Sequence, residues 1–259
     1  MDMNLSGKRV LVTGANGGIG GAIAAGFLAE GARVAVHARK ADTARSVAEA
    51  LGPNAVPVAA DLGDSDAIRS MAADAISALG GLDILINNAG IFETAPIGET
   101  TEDMWDRSFA INTKSCFTLS QACIPAMVGQ GAGGSILFIS STSDKDAAAT
   151  YSAYNASKHA VRGLMRCLAV EVAPHKIRVN CIAPGWVETP MAGRARDQYA
   201  REGHGDAADA TAEMQSHSLL GEIVPPQAIA DMAVYLASDR GAQITAQSVS
   251  VCGGTTHWG

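Results

Sequence analysis

Short runs of branched apolar residues alternate along this chain with longer stretches in which apolar residues return every three or four positions. Seven of the runs read as strands, at residues 9–13, 33–37, 55–60, 84–86, 135–140, 177–182 and 248–251. Several are apolar almost throughout, such as Val10-Leu11-Val12 and Ile136-Leu137-Phe138-Ile139, the pattern of strands covered by helices on both faces of a sheet. The stretches between supply those helices. In the first, Ile19, Ile23 and Phe27 form a stripe and Gly31 stops it. In the third, Ile68, Met71, Ala75, Ile76 and Leu79 form one face, with Asp64 or Ser65 as cap and Gly80 and Gly81 as terminator. Strict alternation predicts a parallel α/β sheet. A (β/α)8 barrel is the competing arrangement at this length.

With 47% apolar and 17% charged residues, the chain has enough apolar side chains to bury a core, which excludes disorder as its main state. No repeat or low-complexity linker marks a boundary, so residues 1–259 are expected to form one domain. The net charge of −7 and the absence of any Lys/Arg-rich run speak against a nucleic-acid partner. No apolar run reaches the roughly 18 residues of a membrane span, and no cationic start precedes a long apolar segment, so neither a membrane partner nor secretion is expected. Cys116, Cys123, Cys167, Cys181 and Cys252 form no C-x-x-C pair and read as reduced packing residues of a cytoplasmic protein. His37, His159, His175, His204, His217 and His257 lack metal-ligand spacing and are expected on surfaces or loops, so no metal is expected.

Directly after the first strand, Thr13-Gly14-Ala15-Asn16-Gly17-Gly18-Ile19-Gly20 opens an amphipathic helix. Glycines there let the chain turn sharply and bring backbone N–H groups close to a diphosphate, whose charge the positive end of the helix dipole favours. No Gly-Lys-Ser/Thr follows, which excludes a Walker loop, and the spacing is G-x-x-x-G-x-G. The turn decides against the barrel.

Further motifs follow in order: Asn87-Asn88-Ala89-Gly90 after the fourth strand, Asn112, Ser141 thirteen residues before Tyr154, Tyr154-Asn155-Ala156-Ser157-Lys158 on a later helix, and Pro184-Gly185 closing the sixth strand. With the glycine turn, these features make the chain resemble the short-chain dehydrogenase/reductase family over nearly its whole length. The resemblance implies a single-domain, Rossmann-like doubly wound sheet of seven strands and a nicotinamide cofactor. It also implies a homotetramer built on the helices near 101–128 and 154–173.

Family likeness implies a catalytic set of Asn112, Ser141, Tyr154 and Lys158. Tyr154 and Lys158 lie four apart on a helix and share a face. There a cation favours a phenolate, and bringing a phenol from about 10 towards 7 takes roughly 4 kcal/mol. Tyr154 is then expected to donate a proton to a carbonyl oxygen, or to take one from an alcohol, while Lys158 also holds the nicotinamide ribose. Ser141 is expected to orient the reacting oxygen, with Ser140 pointing the other way by strand alternation. Asn112 resembles a residue that kinks its helix and holds a water linking Lys158 to solvent.

The implied cofactor contacts are Gly14, Asn16, Gly17, Gly18, Ile19, Gly20, Arg39, Asp61, Leu62, Asn88, Ala89, Gly90, Tyr154, Lys158, Pro184, Gly185, Val187 and Thr189. Ala38 stands where relatives preferring NAD carry Asp, and Arg39 suits the 2′-phosphate of NADP, so NADP(H) is expected over NAD(H). Asp61 reads either as an adenine contact or as a helix N-terminal acid. Thr189 reads either as a carboxamide contact, with the backbone near Val187, or as a cap for the next helix.

The substrate pocket is expected from residues 92–97, from 143–150 and from a polar lid at 186–221, an excursion too long for an ordinary crossover. The run Asp144-Lys145-Asp146 is charged for such a site and is expected to face water. Cys252-Gly253-Gly254 departs from the family's Asp-Gly-Gly, which puts the local turn contacts in question. The tail His257-Trp258-Gly259 is a candidate contact to a neighbouring subunit's pocket. The expected function is hydride transfer between NADP(H) and a secondary alcohol or ketone of a small molecule. Alternatives are 3-oxoacyl-carrier-protein reduction, an NAD-dependent polyol or sugar dehydrogenase, and a non-catalytic nucleotide sensor.

Overall fold

The computed structural model describes residues 2–201 and 203–256. Seven parallel strands, β1 (Arg9–Val12), β2 (Arg33–Ala38), β3 (Ala55–Ala59), β4 (Ile84–Asn87), β5 (Gly134–Ile139), β6 (Ile177–Pro184) and β7 (Ser248–Val251), form one sheet in the order β3-β2-β1-β4-β5-β6-β7. This is the doubly wound, Rossmann-like α/β arrangement. Leu11 of β1 pairs with Ala35 of β2 on one side and Leu85 of β4 on the other.

Alternate strand residues feed two separate cores. Val10, Val12, Val34, Val36, Ile84, Ile86, Leu137, Ile139 and Ile182 pack on one face, against α1 (Gly18–Ala29) and α9 (Pro226–Ala237). Leu11, Ala35, Leu85, Ile136, Phe138, Val179 and Cys181 pack on the other, against α3 (Ser65–Leu79), α5 (Ser115–Gln130) and α6 (Ser152–Val172). The remaining helices are α2 (Ala41–Leu51), α4 (Glu102–Phe109), α7 (Pro190–Arg201) and α8 (Ala207–Ser216). Asp64 caps α3, its side chain accepting the Asp66 and Ala67 N–H groups, and Gly80 ends the helix in a left-handed conformation.

Between α4 and α5 the chain widens into a π-helical turn at Ala110–Lys114, the local change that carries Asn112. The expected lid consists of α7, α8 and the turns around them. Val187 makes a parallel bridge to Val224, which ties the two ends of the excursion together.

Two expectations are corrected. His37 lies on β2 and is only 3% exposed, because both of its ring nitrogens find partners inside. Asp144 is fully buried, not solvated: its Oδ2 accepts the Ser248 hydroxyl at 2.8 Å, and Lys145 reaches the Ser248 carbonyl and the Ser250 hydroxyl. These charges anchor the β5–α6 connection to β7. Of the cysteines, Cys116, Cys123, Cys181 and Cys252 are packing residues, whereas Cys167 is exposed on α6. His257, Trp258 and Gly259, with the tail contact expected of them, lie outside the described residues.

Candidate active site

Strand order reverses between β1 and β4, and at the C-terminal ends of these strands lies a cleft of about 800 Å3. That is where open α/β sheets receive ligands. One end is built by the glycine turn. Gly17 and Gly18 have φ of 141° and 55°, and a Cβ on Gly20 would stand 2.2 Å from the Gly14 carbonyl oxygen. Only glycine lets α1 begin this close to the strand. The turn is braced from β4: Asn88 Nδ2 donates to the Thr13 and Gly14 carbonyls, and the Asn88 and Ala89 N–H groups donate to Thr13 Oγ1.

At the far end of the turn, Arg39 is exposed and lines the cleft without a protein partner among the described residues. Asp61 lines it too, with Oδ1 accepting the Gly63 N–H; Asp64, three residues on, caps α3. The helix-cap reading of Asp61 is thereby replaced by a loop residue facing the cleft. Thr189 answers to its cap reading. It lines the cleft, and its hydroxyl accepts the Ala192 N–H at the start of α7 while donating to the Val187 carbonyl.

The expected catalytic residues gather at the other end. Tyr154 and Lys158, on one face of α6, are 9% and 5% exposed, and Lys158 Nζ sits 5.6 Å from the centre of the Tyr154 ring. The ammonium donates to the Ile139 carbonyl at 3.1 Å, which leaves further N–H donors for the cleft. Beside it, a Cβ on Gly90 would meet Asn112 Oδ1 at 3.1 Å and Lys158 Nζ at 3.6 Å, so the glycine clears space for both groups.

Asn112 acts as a clamp. Its Oδ1 accepts the Ile91 N–H, and its Nδ2 donates to the Ile91 carbonyl and to Ser157 Oγ, which itself donates to the Tyr154 carbonyl. Both amide hydrogens are thus used in tying the loop after β4 to α6. Ser141 Oγ accepts the Ser143 N–H at 3.1 Å, and its own hydrogen is left to donate. Ser140 also borders the cleft, yet its buried hydroxyl lies beside the Asp144 carboxyl.

Aromatic side chains form a wall that motif reading did not supply. Phe92 meets Tyr151, Tyr154 and Trp186 edge-on at centroid distances of 5.0, 4.9 and 5.8 Å. Burial, with smaller contributions from Tyr154 and Glu213, pushes the Tyr151 phenol up to about 12, which keeps it protonated. Of the expected pocket segments, Phe92, Glu93 and Ser143 reach the cleft, as do Trp186, Val187, Met191 and Arg194 of the lid; Arg107 joins them from outside those segments. Glu93 and Arg107 pair at 3.0 Å. The Cys252 turn is also intact. Gly253 and Gly254 adopt positive φ, and the Gly253 carbonyl accepts the Ser218 hydroxyl and the Leu220 N–H from the end of the lid.

The family model for short chain dehydrogenases matches residues 8–200. The chain belongs to the short-chain dehydrogenase family. It is similar to a protein named sorbitol dehydrogenase from Cereibacter sphaeroides, 34% identical over 97% of this chain and 98% of that one. It is 36% identical to L-xylulose reductase of Bos taurus, over 98% of each chain. Among solved structures, L-sorbose reductase from Gluconobacter frateurii, complexed with NADPH and L-sorbose, covers both chains completely with a TM-score of 0.93 at 30% identity. This short-chain dehydrogenase is therefore an NAD(P)-dependent oxidoreductase of the alcohol–carbonyl couple. The dehydrogenase has a cleft that fits such a dinucleotide: glycine backbone where a diphosphate would lie, the exposed guanidinium of Arg39 beyond it, and an ammonium with spare donors at the opposite end. Among its described residues no group of three or more His, Cys, Asp or Glu is placed to hold a metal.

Proposed function

We propose that this enzyme interconverts a ketone and a secondary alcohol on a small hydroxylated molecule, with NADP(H) preferred. The observation that carries the reading is the meeting of Tyr154, Lys158 and Ser141 at one end of the cleft that the glycine turn opens at the other. A bound nicotinamide dinucleotide supplies or accepts the hydride. In reduction, the Tyr154 hydroxyl gives its proton to the carbonyl oxygen, and in oxidation the phenolate takes it from the alcohol. Lys158, fixed by the Ile139 carbonyl, offsets the negative charge on Tyr154 in that step, and its spare N–H donors would hold the ribose of the bound dinucleotide. Ser141 donates its free hydrogen to the reacting oxygen and so aims it at Tyr154. Asn112 holds the loop and α6 in register around Lys158. Tyr151 stays a neutral phenol and is no rival as base.

Support for a hydroxylated substrate comes from the mixed lining of the cleft, where Glu93, Arg107, Arg194 and Ser143 stand against the aromatic wall, and from relatives named for sorbitol, xylulose and sorbose. Arg39 and the uncharged Ala38 support NADP(H). The name of the relative called sorbitol dehydrogenase supports a polyol dehydrogenase as the second reading. Phe117 on α5 and Val170 on α6 are 46% and 77% exposed, and we assign the faces that carry them to a homotetramer.

The test is a panel of ketoses, polyols, simple ketones and acyl thioesters, assayed with both dinucleotides by the absorbance of the reduced nicotinamide. Turnover of hydroxylated ketones with NADPH is expected, and its loss in Tyr154→Phe. Tight dinucleotide binding without turnover of any carbonyl compound overturns the reading in favour of a sensor.

A further inference from the structure

His37 is a buried titratable group that the proton-transfer chemistry does not use. Its Nδ1 accepts the Gly14 N–H at 3.1 Å, its carbonyl accepts the Ala15 N–H at 2.8 Å, and its Nε2 lies 3.0 Å from the Ala60 carbonyl. A carbonyl oxygen only accepts, so Nε2 carries the hydrogen and Nδ1 presents its lone pair. The two partners together select one neutral tautomer. The same ring lines the cleft at the end where Arg39 and Asp61 lie.

Gly14 is thus held through both halves of its backbone, its N–H by His37 and its carbonyl by Asn88. Gly14, Gly17 and Gly18 all take positive φ, and a run of such residues loses more conformational freedom on ordering than any other. A turn fixed in advance spares a ligand that ordering cost.

Resting on the dinucleotide reading above, we propose that His37 is a positioning residue for the cofactor. Its neutral imidazole pins the first peptide of the glycine turn to the ends of β2 and β3, and protonation releases the pin. A proton on Nδ1 sets one donor against another, so the bond to Gly14 becomes a repulsion. Burial lowers the imidazole from its ordinary value, against a smaller opposite effect of the Ala60 hydrogen bond. The pin therefore holds at neutral pH and fails on the acid side. The charged groups sharing this end of the cleft are Arg39, on the residue following β2, and Asp61, which follows Ala60; α1 and the turn from Thr13 to Gly20 contribute none.

Asparagine and glutamine separate the two ring contacts, since an Asn amide oxygen reaches the place of Nδ1 and a Gln amide nitrogen the place of Nε2. The full chain and its His37→Asn, His37→Gln and His37→Leu variants are titrated with NADP and NAD by calorimetry between about pH 5 and 8, with thermal unfolding recorded in parallel. At neutral pH His37→Asn is expected to bind within about threefold of the unmodified protein, and the Gln and Leu variants about tenfold more weakly. The unmodified protein is expected to lose affinity on acidification more steeply than His37→Asn, a comparison that cancels any titration of the ligand. Equal affinity of the Asn and Gln variants, or parallel pH profiles for the unmodified protein and His37→Asn, overturns the proposal. If the Leu variant does not fold, the Asn–Gln contrast still decides. Binding of neither dinucleotide by the unmodified protein removes the functional reading first, and the proposal with it.

Discussion

Tyr154 sits where three constraints meet: the edge of Phe92 against its ring, Lys158 on the next turn of its own helix, and the hydrogen bond from Ser157 to its carbonyl. Removing only the hydroxyl leaves this packing untouched. Tyr154→Phe should therefore lower kcat by about 10²- to 10⁴-fold while dinucleotide affinity, read by calorimetry, changes little. Arg39 has no protein partner among the described residues, so its removal disturbs nothing else. Arg39→Ala should lower the ratio of NADP to NAD efficiency by about 10- to 100-fold, the range of one charge-assisted bond. An unchanged ratio would detach Arg39 from cofactor choice. Both residues stood in sequence motifs. His37 did not, because a buried histidine is recognised by its partners, and Gly14 and Ala60 come together with it only when β1, β2 and β3 pair.

At the scale of elements, the glycine turn and α1 behave as one unit. A Cβ on Gly20 would lie 2.2 Å from the Gly14 carbonyl and 2.4 Å from Asn88 Nδ2, and Asn88 is the brace of that carbonyl. Gly20→Ala must push the helix start away from β4. It should abolish measurable dinucleotide binding while far-ultraviolet circular dichroism shows the helices retained. At α3 the Asp64 cap accepts two N–H groups, and Asp64→Ala should cost about 1 kcal/mol, seen as a fall of roughly 2–4 °C in the unfolding midpoint. Caps, stripes and terminators of this sort were legible along the chain because they are local. The Asp144 segment was misread for the opposite reason. Asp144 Oδ2 and the Lys145 ammonium find their partners in Ser248 and Ser250, about a hundred residues away, and no local pattern announces a partner on β7.

Across the whole molecule, the sheet is tied at its base by Arg9 on β1 and Asp83 just before β4: the Arg9 guanidinium and N–H donate to the Asp83 carboxylate, and the Asp83 N–H donates to the Arg9 carbonyl. Burial alone would raise the Asp83 carboxyl, but the bonds and charge of Arg9 outweigh it and hold it below the usual carboxylate range. A carboxyl depressed in the folded state contributes stability that is present above its unfolded value of about 4 and lost as pH falls through the folded value. Asp83→Ala should cost about 3 kcal/mol near neutrality, a fall of roughly 6–12 °C, and the gap from the unmodified protein should close below about pH 4 in thermal unfolding series. A gap that persists in strong acid would locate the cost in packing rather than charge. What the chain by itself determined was everything written in periodicity and spacing: strands apolar on both faces, helices with one greasy stripe, glycines where backbone must approach a ligand, and a tyrosine and lysine one turn apart. Those are properties of neighbours along a polymer, and local geometry alone enforces them. Only the tertiary structure decided which polar groups face inward, that Phe92, Tyr151 and Trp186 wall the cleft, and that an imidazole grips the glycine turn, because each depends on strands far apart in the chain being brought within a hydrogen bond of one another.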